Sequence, residues 1–111
     1  MGKAINNTGV PVVKGMSGVV LFSQKEAVRP AIKPCIRCGK CTYACALKLE
    51  PYLLMTLAEK GMLERAEHER ITDCLECGSC SFICPANRPV LDYIRLGKSI
   101  VLKKARERNL K

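Results

Sequence analysis

Apolar positions in the middle of the chain recur at helical spacing. The first such run opens at Pro51, which suits a first helical turn, and closes near Gly61, which favours helix termination. Its apolar side chains share one face of the predicted helix: Leu53, Leu54, Leu57 and Ala58. A second short helix is predicted from Met62 to about Arg70. We therefore expect residues 46–73 to be mainly helical.

A longer helix is predicted after Pro89, near the end of the sequence. Apolar and small residues recur there every three to four positions: Val90, Ile94, Gly97, Val101 and Ala105. The helix ends in a basic run over residues 103–108. Such a run is usually a solvated helix end that the helix dipole favours, and it is also a candidate docking surface.

The first 34 residues have a different pattern. Two short runs rich in β-branched residues, 10–13 and 19–22, are separated by glycines, which predicts a hairpin or two extended strands. Pro30 and Pro34 then indicate an extended linker. The predicted organisation is a β-rich segment with its linker over residues 1–34, and a mainly α-helical domain over residues 35–111.

All eight cysteines lie in the second region, in two copies of one spacing, C-x₂-C-x₂-C-x₃-C. The first copy is Cys35, Cys38, Cys41 and Cys45, and the second, 39 residues later, is Cys74, Cys77, Cys80 and Cys84. A glycine, a hydroxyl residue and an aromatic residue recur at matching positions within the copies. The chain therefore contains a duplicated unit, which suggests a site with pseudo-two-fold symmetry.

This spacing is typical of [4Fe–4S] clusters, which need four thiolate ligands each. Gly39 and Gly78 let the backbone come close, so that amide groups can point at the sulfurs. Zinc is a weaker alternative because structural zinc sites usually combine two CxxC pairs. Disulfides need an oxidising compartment, and the N-terminus has no secretory apolar region. Pro85 follows the second copy, as is typical, whereas Ala46 follows the first.

A rule from two-cluster ferredoxins assigns the ligands. In those proteins the fourth cysteine of each motif ligates the other cluster. Carried over to this chain, the rule assigns the first cluster to Cys35, Cys38, Cys41 and Cys84, and the second cluster to Cys74, Cys77, Cys80 and Cys45. Such crossing would hold the two halves together and keep both clusters close, as an electron relay requires.

The formal charge of the chain is +9. Two clusters of about −2 each, thiolates included, would lower the charge to about +5. The remaining excess fits either solubility or docking to an acidic partner or an anionic membrane surface. We expect no nucleic-acid partner, and no run of roughly 18 apolar residues predicts a transmembrane segment.

Residues beside the motifs suggest how each cluster is tuned. Arg37 and Lys40 lie in the first motif, whereas Glu76 and Ser79 lie in the second. Positive charge stabilises the more negative, reduced cluster, so the sequence predicts a higher reduction potential for the first cluster.

Other chemistry-bearing residues are expected to have structural roles. Tyr43 and Phe82 are predicted to shield the clusters from water, and His68 is predicted to lie on the surface. With one histidine and no cysteine outside the motifs, we expect no catalytic residues in this chain.

The two motifs, the helical spacer and the flanks resemble the ferredoxin region of the C subunit of the Rnf (Rsx) electron-transport complex. The resemblance is carried by residues 9–18, 34–41, 73–80, 84–89 and 93–95. Many ferredoxin-like subunits share the cysteine motifs alone. The segment Val13-Lys14-Gly15-Met16-Ser17-Gly18 narrows the resemblance to this family.

The resemblance implies an α-helical ferredoxin fold and a peripheral subunit on the cytoplasmic side of a bacterial or archaeal membrane. The complex couples electron transfer between reduced ferredoxin and NAD⁺ to ion pumping. The family's subunit is much longer and has an N-terminal part that binds NADH and FMN. We therefore expect this chain to be an excised piece or a truncated homologue that does not itself oxidise NADH.

Three functions remain open at this point. The first is an electron-transfer module of such a membrane-associated oxidoreductase, with the other subunits as partners. The second is a free-standing soluble dicluster ferredoxin, against which the basic charge argues because ferredoxins are generally acidic. The third is a zinc-stapled interaction module without a redox role.

Overall fold

The chain forms two units, Met1–Pro30 and Ala31–Lys111. The computed structural model describes residues 3–110. The division falls at the first proline of the predicted linker. Residues just after it belong to the second unit, because the Lys33 amide donates to the Ala86 carbonyl at 2.9 Å and the Asn87 side chain donates to the Ala31 carbonyl at 3.4 Å.

The predicted β-rich N-terminal segment is wrong, because residues 3–110 contain no strand. The backbone of residues 10–13 and 19–22 makes no ladder of hydrogen bonds, and the apolar side chains of these runs point into solvent. Val12 is 81% exposed and Leu21 is 91% exposed. A β-branched run forms a strand only when a neighbouring strand accepts its hydrogen bonds, and an isolated hairpin is marginal in water. The described part of this unit offers these runs no such neighbour.

One short helix, α1, does form in the N-terminal unit, over Gln24–Ala27. The carboxylate of Glu26 accepts hydrogen bonds from the Ser23 hydroxyl at 2.7 Å and from the Ser23 amide at 3.1 Å. These bonds, the hydroxyl first, hold the pKa of Glu26 below its usual value. The pair is a capping interaction that fixes the start of the turn.

The second unit is helical. Its helices are α2 (Lys40–Ala44), α3 (Pro51–Glu59), α4 (Leu63–His68), α5 (Ser79–Ile83) and α6 (Val90–Asn109), with a 3₁₀ turn (Ile71–Asp73) before α5. The three helices predicted from apolar spacing are thereby confirmed as α3, α4 and α6. Gly61 has a φ of 71° and ends α3 as predicted. In residues 3–110, no helix is long and apolar enough to cross a membrane.

The sequence duplication extends to the backbone. In each copy a cysteine loop leads into a short helix, and a turn then leads into a longer helix. The longer helices begin at Pro51 and Val90, which are again 39 residues apart. Positive φ angles recur in three matching pairs: Arg37 and Glu76, Gly39 and Gly78, and Lys48 and Asn87. Both copies therefore fold in the same way well beyond the cysteines.

The two copies pack directly on each other, α2 against α5 and α3 against α6. Ala58 and Gly97 are equivalent positions of the duplication, and they meet where α3 and α6 cross. A Cβ atom at Gly97 would lie 2.9 Å from the Cβ of Ala58 and 2.9 Å from the Cδ1 of Ile71. The glycine thus permits the close approach of the helices. The largest fully buried side chains belong to one hydrophobic core: Leu54, Ile71, Val90, Ile94 and Val101.

The basic run at the end of α6 is exposed, as predicted for a solvated helix end. Arg108 also forms an ion pair with Glu67 of α4, with a nitrogen–oxygen distance of 2.5 Å. An exposed pair of this kind contributes little to stability.

We predict that Gly97→Ala destabilises the second unit. In an open helical position this change would stabilise the fold by up to about 1 kcal/mol. Here the added methyl group overpacks the α3–α6 contact, which typically costs about 1–3 kcal/mol. The melting temperature, followed by circular dichroism under anaerobic conditions, should fall. Ser99→Ala, on the exposed side of the same helix, is the matched control and should leave it nearly unchanged. An unchanged or higher melting temperature in Gly97→Ala would contradict the close contact.

Candidate metal centre

Four cysteines line a cavity of about 300 Å³ in the second unit. They are Cys35, Cys38 and Cys41 of the first copy and Cys84 of the second. Apolar residues complete much of the wall, among them Met55 of α3 and Val90 of α6. Three cysteines of one copy and the last cysteine of the other therefore face one space.

The remaining four cysteines line a second, narrower cavity of about 30 Å³. They are Cys74, Cys77 and Cys80 of the second copy and Cys45 of the first. Leu54 of α3 and Leu91 and Ile94 of α6 form apolar parts of its wall. This grouping is the first one with the two copies exchanged. Of its four thiols, Cys80 is only 8% exposed, whereas Cys77 is exposed.

The short helices explain why the last cysteine of each motif joins the other copy. Cys45 follows the end of α2 with φ −75° and ψ 115°, and Cys84 follows α5 with φ −67° and ψ 115°. Both residues leave their helix in an extended conformation, and each lines the cavity of the other copy. Because α2 and α5 pack against each other, each departing cysteine reaches the cavity of the opposite copy.

Left-handed backbone shapes each cysteine loop. Gly39 and Gly78 have φ angles of 74° and 83°, which glycine adopts without steric cost. Glu76 is also left-handed, with a φ of 56°, and its amide donates a hydrogen bond to the Cys74 sulfur at 3.4 Å. Such turns present several N–H groups to one concave surface, which suits an anionic group.

The donor set fits iron–sulfur clusters. All eight cysteines are free thiols, and each cavity gathers four, the number that the corners of one cubane require. Within residues 3–110, no three His, Cys, Asp or Glu side chains lie close enough together to share a single metal ion.

Comparison with known families gives the same chemistry. The 4Fe–4S dicluster domain family matches residues 34–88. This stretch is a 4Fe–4S dicluster domain.

The resemblance to the C subunit of the Rnf complex is also confirmed. The chain is 42% identical over 100 residues to the C subunit of the proton-translocating ferredoxin:NAD(+) oxidoreductase complex of Clostridium ljungdahlii, covering 89% of the chain and 22% of the relative. It is 44% identical over 98 residues to the C subunit of the ion-translocating oxidoreductase complex of Rhodobacter capsulatus, covering 88% and 19%. A Na(+)-translocating counterpart from Acetobacterium woodii is 36% identical over 102 residues, covering 92% and 23%. The chain spans about a fifth of the length of these relatives.

The negative charge of Glu76 in the second motif is offset by cations that the motif's own sequence does not reveal. The Glu76 carboxylate pairs with the Arg95 Nε at 3.0 Å and with the Lys98 Nζ at 3.3 Å, both from α6. Partial burial alone would raise the pKa of Glu76, but the hydrogen bonds and charges of Lys98 and Arg95 outweigh it and lower the pKa. Lys98 also donates to the Cys74 carbonyl at 2.7 Å. Two cations thus offset Glu76, and the charge contrast between the motifs is smaller than predicted.

Two thiols of the second cavity have opposite environments in the dicluster domain. The Cys77 sulfur lies 3.5 Å from the Ser79 hydroxyl, and the hydrogen bond with Ser79 lowers the pKa of Cys77. Burial raises the pKa of Cys80 to about 11. Lys40 occupies the position of Ser79 in the first copy, so only the second motif has this hydroxyl contact.

Tyr43 and Phe82 do not shield the cysteines, so this expectation is wrong. Tyr43 is 87% exposed and Phe82 is 92% exposed, because each lies on the outer side of its short helix. Apolar side chains of α3 and α6 line the cavities instead. The helical spacing of apolar residues in the sequence was the pattern that could have predicted this role. His68 is exposed, as predicted.

We predict that Ser79→Ala lowers the reduction potential of one cluster of the domain. In the structure the Cys77 thiol donates to the Ser79 hydroxyl. Once Cys77 is a thiolate ligand, the hydroxyl donates to the sulfur instead and stabilises the more negative reduced state, and the substitution removes this donor. Anaerobic potentiometric titration followed by EPR should show one midpoint shifted down and the other unchanged. Ser99→Ala, far from any cysteine in sequence, should shift neither. If Ser79→Ala behaves like this control, the hydroxyl does not contact a ligand sulfur.

Proposed function

We propose that this chain binds two [4Fe–4S] clusters, crosswise between its copies, and passes electrons one at a time. The observation that supports it is the grouping of the cysteines. One proposed cluster has the ligands Cys35, Cys38, Cys41 and Cys84, and the other has Cys74, Cys77, Cys80 and Cys45. In this proposal residues 35–111 form an α-helical ferredoxin domain, which residues 1–34 precede.

The chain's own residues supply what such a relay needs. When bound, a [4Fe–4S] cluster accepts and returns one electron. Eight thiolates hold the two groups, and the Glu76 amide and the nearby cations stabilise added negative charge. Leucine, valine and isoleucine side chains of α3 and α6 exclude water. Packing of α2 on α5 keeps the two cavities close to each other.

We further propose that the chain works as a module of a membrane-associated, ion-translocating ferredoxin:NAD oxidoreductase complex. The names of its relatives support this role. Its partners in this proposal are other subunits of the complex and an acidic redox protein. Its place is peripheral, on the cytoplasmic side of the membrane. Hydride exchange with NAD⁺ belongs to other parts of the complex.

Paired cysteine variants test the crosswise ligation. Cys35→Ala with Cys84→Ala removes two ligands from one proposed cluster and should leave the other intact. Cys35→Ala with Cys45→Ala removes one ligand from each and should leave no complete [4Fe–4S] site. The parent chain should hold about eight iron and eight sulfide. EPR after dithionite reduction should show a [4Fe–4S]⁺ signal in the first double variant and none in the second.

The two double variants are matched, since each lacks two cysteines and retains six. If each motif ligated its own cluster, their EPR results would be exchanged. Zinc without sulfide in the parent chain would contradict the redox role and favour a zinc-stapled module. A loaded chain that fails to bind any larger subunit would favour a free-standing ferredoxin.

A further inference from the structure

The two copies share a backbone but differ in surface charge. Between Ala31 and Leu49 the sequence has no acidic residue and four basic ones: Lys33, Arg37, Lys40 and Lys48. All four side chains are exposed. Within residues 3–110, Arg37, Lys40 and Lys48 make no ion pair. The first copy therefore presents uncompensated positive charge beside its cysteines.

The equivalent stretch of the second copy, residues 70–88, has two acidic and two basic residues, and each of them is in an ion pair. Glu76 pairs with Arg95 and Lys98, and Asp73 pairs with Arg70 at 2.7 Å. The position equivalent to Arg37 is this paired glutamate, and the position equivalent to Lys40 is the neutral Ser79. An acidic partner is therefore attracted more strongly to the first copy than to this stretch of the second, although the two copies have the same fold.

Exposed apolar side chains accompany the positive charge of the first copy. Ile36 is 68% exposed and lines the first cavity together with Arg37. Lys40 and Tyr43 lie three residues apart on α2, which places them on neighbouring positions of one helix face. We refer to Ile36, Arg37, Lys40 and Tyr43 as the basic face. Apolar contact with a charged surround is the usual composition of a protein interface.

The cysteines nearest to the basic face are open to solvent. Cys35 and Cys38 are both exposed, whereas in the other cavity only Cys77 is exposed and Cys80 is buried. A partner on this face would approach the first cavity more closely than the second. Fast electron exchange requires such an approach, whereas attachment to a lipid surface does not.

We propose that the basic face docks an acidic one-electron carrier protein, which exchanges its electron with the chain at the first cavity. The inference rests on the proposed redox function. In the forward direction the partner loses one electron and the chain gains it, with no atom transferred. Complementary charge steers such encounters and can raise association rates by about 10–10³-fold at low ionic strength. Salt should weaken the effect.

Charge reversal tests the proposal on the full, cluster-loaded chain. An acidic ferredoxin reduced with dithionite and then freed of it serves as the probe, with electron transfer followed by stopped-flow absorbance. Arg37→Glu with Lys40→Glu should lower the second-order rate about tenfold at low salt. The control Lys60→Glu with Arg65→Glu makes the same change in net charge on exposed residues away from the cysteines, and should lower the rate less than twofold.

The duplication provides a second matched pair. Tyr43→Ser and Phe82→Ser remove equivalent aromatic side chains that are both more than 85% exposed, so neither change should affect folding. Tyr43→Ser should slow electron transfer severalfold, whereas Phe82→Ser should not. The proposal would be overturned if the two double charge reversals had equal effects and the two aromatic substitutions also had equal effects. Net charge and nonspecific apolar contact would then explain the rates without a specific docking face.

Two further outcomes separate the possible failures. In the first, the parent chain holds clusters and is reduced by dithionite, while its rate of electron transfer with ferredoxin changes neither with salt nor on charge reversal. That result would overturn docking at the basic face and would leave the redox function standing. If charge reversal instead abolishes binding to phosphatidylserine vesicles without changing the electron-transfer rate, the face is a lipid contact and the proposal is overturned. A parent chain that dithionite cannot reduce contradicts the redox function itself.

Discussion

The packing of one copy against the other is the constraint on which the rest of the structure depends. The short helices α2 and α5 lie together, and α3 crosses α6 where Gly97 meets its own counterpart, Ala58. Only with this approach can Cys45 and Cys84 leave their helices and face the opposite cavity. A larger residue at the crossing would move the two copies apart. It would also move the fourth cysteine of each set away from the three cysteines of the other copy. The fold and the candidate centre therefore have one physical origin.

Much of this arrangement follows from local signals in the sequence. Helical stripes predicted the helices, and the repeat predicted that both copies fold alike. The crosswise ligand assignment came from the rule carried over from two-cluster ferredoxins and stays a prediction, which the cysteines that line each cavity support. The N-terminal strands could not be predicted correctly, because strand formation depends on a partner that β-propensity does not specify. The Arg95 and Lys98 contacts of Glu76 were missed because they join positions far apart in the chain. Tyr43 was misjudged because spacing alone does not say which side of a one-turn helix faces solvent.

Differences between the copies carry the functional detail. A duplicated scaffold by itself would make two equivalent sites, yet one cavity is wide and borders two exposed thiols, whereas the other is narrow and borders one exposed and one buried thiol. Basic residues without an ion pair in the described part of the chain lie beside the first, whereas Glu76 beside the second is held by two cations from α6. In the proposed relay the first cavity, beside these basic residues, is the site where a partner exchanges electrons.

The most direct test of this account is the EPR spectrum of the fully reduced, anaerobically prepared chain. Two [4Fe–4S]⁺ centres held crosswise by packed helices should be close enough to interact, so the spectrum should be broadened and split. At partial reduction, where few chains carry two electrons, the simple signal of a single centre should appear instead. A simple, non-interacting signal at full reduction would mean that the centres are single or far apart, and would contradict the relay.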